Sequence, residues 1–475
     1  MVRNNQLNRT LGFRLVLVVV IGNIIGSGVY KKVAPMAVEL HSPGWVLICW
    51  ALGGIITLIG ALSHAEVAGL LAETGGEYAY YKKIYNRFFA FIFGWSQFTV
   101  IQTAAISSLA YVFAQSLNSI LPLPPFPGIL ADFSIGGVFF PFADLSVKLA
   151  AIFLIILLSW INTKGVKSGA GLSTAILLLV FAGIAVIVFF GLSSEQAELG
   201  SSFTVATTSS APVTFSAVFA AMLSAFWAYQ GWSSVSFVGG EIKDAKRNIP
   251  RGITLGVIVV VIVYLLVNMT YLSLLSTTAL EQVHAVGNQI AAVEAVRSFW
   301  GYGGAVFISL LILLTTLGCT NATILTSCRT YFAMAREGLF FPKAAELNQA
   351  QAPANALLYQ CILACLLVLS GTFDQLTDMI VFAVFIFYGA TTLGVFILRR
   401  KMPDAPRPYK VWGYPVVPAI MVLFCAALFF NTIFVRPREA AIGMALMLTG
   451  IPMYWWFNKK SNQKTDVPNE DKVLT

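Results

Sequence analysis

Gly22-Asn23-Ile24-Ile25-Gly26-Ser27-Gly28 interrupts the first apolar run of the chain, which begins at Leu15 and resumes at Val29. Three glycines and a serine are weak helix formers, so a membrane helix through this stretch should break at mid-depth. A break there exposes backbone N–H and C=O groups that lipid cannot satisfy, and they must face protein or a bound solute. Half-helix N–H groups suit a carboxylate and freed carbonyls suit an ammonium. The stretch therefore predicts a carrier of small amino-acid-like zwitterions.

The surrounding composition agrees. Hydrophobic residues make up 58% of the 475, charged residues only 11%, and the mean hydropathy is +0.80, which excludes a soluble domain of this length. Apolar spans run over Leu11 to Leu40 (broken), Trp45 to Leu71, Arg87 to Leu117, Ser146 to Asn162 and Val166 to Leu192. They continue over Phe215 to Gly240 (broken), Ile253 to Leu275, Val306 to Arg336, Ala356 to Leu369, Leu376 to Leu398, Val416 to Phe434 and Ala440 to Phe457. At roughly 20 residues per crossing, this predicts an all-α polytopic membrane protein of about twelve helices. Residues 11–458 form one transporter domain between a cytoplasmic N-terminal segment, 1–10, and a polar cytoplasmic tail, 459–475.

With both termini cytoplasmic, all but six of the 30 Lys and Arg fall on the inner side, densest at Lys82 to Arg87, Lys243 to Arg251, Arg399 to Lys410 and Lys459 to Lys472. The outer exceptions are Lys31, Lys32, Lys148, Arg297, Arg436 and Arg438. The net charge of +9 thus reads as a topology signal in a chain surrounded by lipid, and no basic soluble face exists for nucleic acid. Arg3, Arg9 and Arg14 precede an apolar run that no small-residue cleavage site closes, so the first helix is expected to stay. Outside the spans, Pro122 to Pro127 with Gly128, Gly136 and Gly137 read as an outer loop, and Glu281 to Trp300 as a short amphipathic outer helix.

The six cysteines all lie in apolar spans, and the three histidines (His41, His64, His284) form no i,i+4 pair. Neither a metal site nor a cofactor is expected. No paired acid or nucleophile–base set occurs within the spans, which speaks against an enzyme.

A second interruption, Phe226-Trp227-Ala228-Tyr229-Gln230-Gly231-Trp232 followed by Ser233-Ser234, lies in the sixth span. Breaks in spans one and six are equivalent positions if helices one to five repeat as six to ten. Residues 11–192 would then form a first repeat, 215–401 a second and 416–457 two extra helices, with the site at the repeat interface near the midplane. A kink stabilised by packing explains either break alone, but two at matched positions favour the repeat. Glu66 and Glu241, near the inner ends of their helices and beside basic loops, read either as an inner ion-pair gate or as solvated interfacial charges. Asn321 and Thr323 in the eighth span read as pocket lining or as helix–helix hydrogen bonding.

These residues resemble a known family. Ile25-Gly26-Ser27-Gly28-Val29-Tyr30 is similar to the Ile-Gly-Ser-Gly-Ile-Phe signature of the amino acid–polyamine–organocation superfamily. Trp227 to Trp232 followed by Glu241-Ile242-Lys243 and Lys246 to Pro250 resembles its L-type amino-acid transporter branch. So do Ala65-Glu66 with Thr74-Gly75-Gly76-Glu77-Tyr78, Ile161 to Lys167, Asn321 to Gly338, and Arg407-Pro408-Tyr409-Lys410 with Tyr414-Pro415. The resemblance covers about residues 8 to 456 in family order. It implies a leucine-transporter-like five-plus-five inverted repeat with two extra helices.

Residue by residue, the resemblance implies that Gly26 belongs to the binding signature. The N–H groups of Ser27 and Gly28, with the Ser27 hydroxyl, hold a carboxylate, and the carbonyls of Ile24 and Trp227 hold an ammonium. Trp227 matches an aromatic gate, and Gly231 with Gln230 belongs to the second break. Relatives accepting cationic amino acids often carry an acid where Gln230 stands. A neutral amide there predicts neutral substrates, since a buried unpaired cation costs several kcal/mol. Val384 in the tenth span implies a more apolar distal pocket. Lys167 matches a position reaching the broken first helix, where sodium-coupled relatives place the ion, which implies sodium independence; an interfacial topology lysine is the alternative. Eukaryotic members pair with a glycoprotein through a cysteine between helices three and four. Asn118 to Leu145 contains none, so no disulfide-linked heavy subunit is expected. The expected function is sodium-independent exchange of neutral L-amino acids, with proton-coupled symport and cationic amino-acid or polyamine antiport as alternatives.

Overall fold

Ser42, Asn86, Thr214 and Thr372 cap helix starts through their side chains, and Gly231 and Gly338 take positive φ just past two helix ends. The computed structural model describes residues 11–72, 75–124, 133, 141–164, 169–207, 212–286, 289–370 and 372–465. Helix α1 (Phe13–Ile24) ends where Ile25 turns extended at ψ 95°, and α2 (Gly28–Lys31) and α3 (Val33–Leu40) resume beyond the break. Helix α4 (Pro43–Leu70) is capped by the Ser42 hydroxyl, which accepts the Trp45 N–H, with Pro43 in its first turn. Next come α5 (Glu77–Ile84), α6 (Arg87–Ser96) and α7 (Gln102–Ile120), the last two joined by a π-helical stretch, Gln97–Ile101. Then follow α8 (Leu145–Thr163), α9 (Gly169–Leu192) and the single turn α10 (Leu199–Ser202).

The second half opens with α11 (Phe215–Tyr229), capped by Thr214 and ended by extended Gln230, and a 3₁₀ stretch, Trp232–Glu241, continues it. Helices α12 (Ala245–Leu274), α13 (Thr277–Val286), α14 (Ala291–Arg336) and α15 (Ala354–Ser370) follow. Helix α16 (Phe373–Lys401) starts on a reciprocal capping box between Thr372 and Gln375. The series closes with α17 (Val416–Val435), α18 (Pro437–Leu448) and α19 (Gly450–Thr465).

Among the described residues, ten helical stretches are long and apolar enough to cross a membrane. The shorter α11 and α15 bring the series to the expected twelve. The molecule is an all-α polytopic membrane protein. Its extended pairing among the described residues is one parallel bridge, Leu11 with Ile242, which ties the start of α1 to the end of the second interruption.

One expectation changes. The single amphipathic helix over Glu281 to Trp300 is instead α13 plus the first turns of α14, which kinks at Gly301 with φ of 63°. The sequence between them contains the turn-forming pair Gly287-Asn288. The anticipated Pro122 to Gly137 loop falls largely outside the described residues.

Small residues set how closely the centre packs. Gly252 and Gly256 of α12 let α1 approach: a Cβ at either would lie within 2.5 Å of Val16 or Val20. The same principle brings the two interruptions into contact and creates the site.

Candidate functional site

Each interruption presents its glycine to the other. A Cβ on Gly28 would sit 2.5 Å from the Ala228 Cα, and one on Gly231 would sit 2.2 Å from the Asn23 carbonyl oxygen. Gly231 also takes φ of +115°, a backbone region open to glycine at little cost. The two broken helices therefore cross in backbone contact, and their freed polar groups line one cleft of about 440 Å³.

That cleft gathers most of the residues singled out from sequence. Ile24, Gly26, Ser27, Gly28, Trp227, Gln230, Gly231 and Thr323 line it. The Ser27 hydroxyl, the Trp227 indole N–H and the Gln230 side-chain carbonyl are buried there without hydrogen-bond partners. The N–H groups of Ser27 and Gly28 find no backbone carbonyl among the described residues. The lining contains no Asp, Glu, Lys or Arg. It thus offers donors for an anionic group and acceptors for a cationic one, with no fixed charge for a charged side chain.

Asn321 is not part of the lining. Its side-chain carbonyl accepts the Asn162 amide at 2.7 Å, joining α14 to α8. Lys167 lies outside the described residues. Lys164 is described, and its ammonium rests 3.3 Å over the Trp160 ring. Val384 borders a second cleft of about 300 Å³ that shares Gln102, Gln230, Gly231 and Ser234 with the first.

Several lining residues escaped the sequence reading. Gln97 and Gln102 are five residues apart across the π-helical stretch, a spacing that one π turn brings to one face. Two amides near the middle of a largely apolar span are the available signal. Tyr264 of α12 gave none: its hydroxyl lies 2.9 Å from the Ile24 carbonyl and 3.0 Å from the Ala228 carbonyl, bridging both breaks. Tyr264→Phe leaves these buried helix-end carbonyls without that donor, an expected loss of about 1–3 kcal/mol. A lowered thermal unfolding midpoint in detergent checks this, and an unchanged midpoint counts against the bridging role.

Ion pairs close both ends of the bundle. At one end Glu66, 3% exposed, takes two hydrogen bonds from the Arg399 guanidinium at 2.7 and 2.9 Å and one from the Val411 N–H at 2.7 Å. Arg407 stands 3.4 Å away. Glu241 pairs with Arg329 at 2.9 Å, and Glu337 takes bonds from Tyr78 and Lys82. At the other end Lys32, fully buried, reaches Asp374 at 2.6 Å and Thr377 at 2.7 Å. Arg436 bridges Asp378 and Glu39. Lys31 donates to Gln115 at 2.7 Å. Both lysine ammoniums lie within 5 Å of the Phe373 ring centroid, and Phe373 meets Trp227 edge-on. Lys31 and Lys32 are therefore buried partners, beyond the topology charges expected from sequence.

Comparison with known proteins bears on this geometry. The family model described as amino acid permease matches residues 11–457. The serine/threonine exchanger SteT of Bacillus subtilis is 29% identical over 96% of this chain and 98% of its own length. The mouse large neutral amino acids transporter small subunit 2 is 30% identical, covering 94% of this chain and 81% of its own. The human b(0,+)-type amino acid transporter 1 is 26% identical over 96% and 89%.

Proposed function

Because this chain belongs to the amino acid permease family, and so moves amino acids across a membrane rather than catalysing a reaction, we propose that it is a sodium-independent exchanger of neutral L-amino acids. The observation that carries the proposal is the uncharged cleft at the crossing of the two broken helices, with the buried, unpartnered Ser27 hydroxyl and Gln230 carbonyl in its wall. A zwitterion brings equal and opposite charges that N–H and C=O dipoles can meet, whereas a lysine or arginine side chain would add a charge with no counter-ion in that cleft. Alternating access needs two gates. Glu66 with Arg399 and Glu241 with Arg329 would close the cytoplasmic side, and Lys32 with Asp374 the outer side, with Trp227 over the substrate.

The distribution of Lys and Arg supports cytoplasmic termini, and the bacterial exchanger among the relatives supports a bacterial cytoplasmic membrane. The contact between the two breaks supports repeats over 11–192 and 215–401 with 416–457 appended. The names of the bacterial and mammalian relatives support exchange and neutral amino acids respectively. The cysteine-free stretch from Asn118 to Leu145 supports work without a disulfide-linked subunit.

Uptake of labelled L-alanine and L-serine by purified protein in sodium-free liposomes tests the reading. Uptake only into vesicles preloaded with amino acid, with none into empty vesicles under an imposed pH gradient, is the expected result. Uptake into empty vesicles that follows the gradient makes the protein a proton symporter instead. Lys167→Ala is expected to cut turnover more than tenfold while Lys164→Ala changes it less than twofold. Equal mild effects would return Lys167 to a topology role.

A further inference from the structure

The second cleft ends on a carboxyl group that the transport reading leaves unused. Glu77, at the first position of α5, is 2% exposed and lines this cleft with Gln97, Gln102, Gln230, Ser233 and Tyr388. One of its oxygens, Oε1, has no hydrogen-bond partner, and the other accepts a long bond of 3.4 Å from the Ser233 hydroxyl. The nearest ionisable partner is His64 of α4, equally buried, whose Nδ1 lies 3.7 Å from Oε1 while Nε2 meets the Ser236 hydroxyl at 2.9 Å. Phe93 comes from α6, Gln97 from the π-helical stretch and Tyr388 from α16; the phenol of Tyr81 on α5 itself is turned to Thr391 and the Phe387 carbonyl. The nearby cations are engaged elsewhere: Lys82 is held by Glu337, and Arg399 and Arg407 by Glu66. Among the described residues, no lysine or arginine pairs with Glu77.

An ionised carboxylate in this place would be a buried charge with one weak hydrogen bond, an arrangement that neutralisation relieves. We infer that Glu77 is a proton-binding site of the transport cycle. Its carboxylate takes up one proton as the clefts close to solvent, and the resulting carboxylic acid returns that proton to water when the Glu66 end opens. This rests on the transport reading of the neighbouring cleft. The two clefts share Gln102, Gln230, Gly231 and Ser234, and Ser233 and Ser234 belong to the 3₁₀ continuation of the second break. A rearrangement of that break therefore changes the surroundings of the acid directly.

The sign of the pH effect follows from burial. Desolvation pushes the Glu77 carboxyl up to about 8, while the Ser233 hydrogen bond pulls weakly the other way. In an open, hydrated state the group returns to the ordinary carboxylate range. Between those two values the closed state holds one more proton than the open one, so closure is disfavoured by up to about tenfold per unit of rising pH. Below the ordinary carboxylate range both states are protonated, above about 8 both are ionised, and the dependence vanishes on either side.

The test has two arms on the full-length protein. In the first, without substrate, infrared titration of the wild type from about pH 5 to about pH 10 should show a buried protonated carboxyl lost with a midpoint near 8. That band should be missing in Glu77→Gln, and Ser233→Ala should move its midpoint upward. In the second, L-alanine exchange in liposomes at equal pH on both sides should slow severalfold in the wild type from about pH 5 to about pH 8 and stay flat in Glu77→Gln. A wild type with no carboxyl titrating above about pH 7 overturns the inference even if Glu77→Gln does not fold. So does a Glu77→Gln protein that keeps the wild-type pH profile of exchange, a result that leaves the transport reading intact. A protein that shows the titrating band but moves no neutral amino acid defeats the transport reading and the coupling with it.

Discussion

Gly231→Ala should reduce amino-acid uptake to the level of protein-free liposomes. Two independent costs meet at this position. The backbone φ of +115° is strained for any residue with a Cβ, about 1–2 kcal/mol in the left-handed region. The added Cβ would also fall 2.2 Å from the Asn23 carbonyl oxygen and 2.7 Å from its carbon. Both are backbone atoms, so no rotamer change relieves the clash; the broken helices must separate, and the cleft between them loses its shape. Gly28→Ala should fail for the mirror-image reason, with Ala228 in the way, so even a methyl group is too large. Gly28→Val is therefore harmful through helix contact, before any obstruction of the substrate backbone is considered. Gly22 supplies the control within the same stretch, since a Cβ there meets nothing within 4 Å. Gly22→Ala should transport normally. Indistinguishable uptake by the Gly231 and Gly22 variants, both monodisperse in detergent, would remove the crossing of the breaks from the account.

The second large effect is expected at the opposite end of the bundle from Glu66. Lys32→Met strands Asp374, which loses its 2.6 Å partner, with Asp378 nearby and Arg436 already shared with Glu39. Breaking a buried pair by removing one member costs about 3–5 kcal/mol, and the 33% exposure of the Asp374 side chain places this case at the lower end. The double variant Lys32→Met/Asp374→Leu removes both charges and should recover most of the loss, because desolvation had offset much of the pair's attraction. Thermal unfolding midpoints of the three proteins in one detergent check this. A double variant as unstable as the single one would show that the lysine acts through Thr377 and Phe373 rather than through the aspartate.

The sequence made the membrane spans legible because hydropathy over roughly 20 residues is a local property of the chain. Both breaks were legible for a related reason: glycine and serine withdraw helix propensity wherever they stand, and Gly26, Ser27, Gly28, Gln230 and Gly231 all came to line the cleft. Asn321 shows the limit. A polar residue in an apolar helix has to find a partner, but its sequence does not say whether that partner is a ligand or, as here, Asn162 of a neighbouring helix. The same limit applies to Lys31 and Lys32, whose charges counted toward topology while their burial against Gln115 and Asp374 was invisible.

By itself, then, the sequence determined that this chain is a bundle of membrane helices with two of them broken, since those features depend on the preferences of neighbouring residues. Tertiary structure alone decided that Gly28 meets Ala228, that Tyr264 bridges the Ile24 and Ala228 carbonyls, and that Glu77 and His64 are shut in together beside the site. Each of these depends on the rotation and crossing of helices far apart in the chain, which packing of the whole bundle fixes and no local preference encodes.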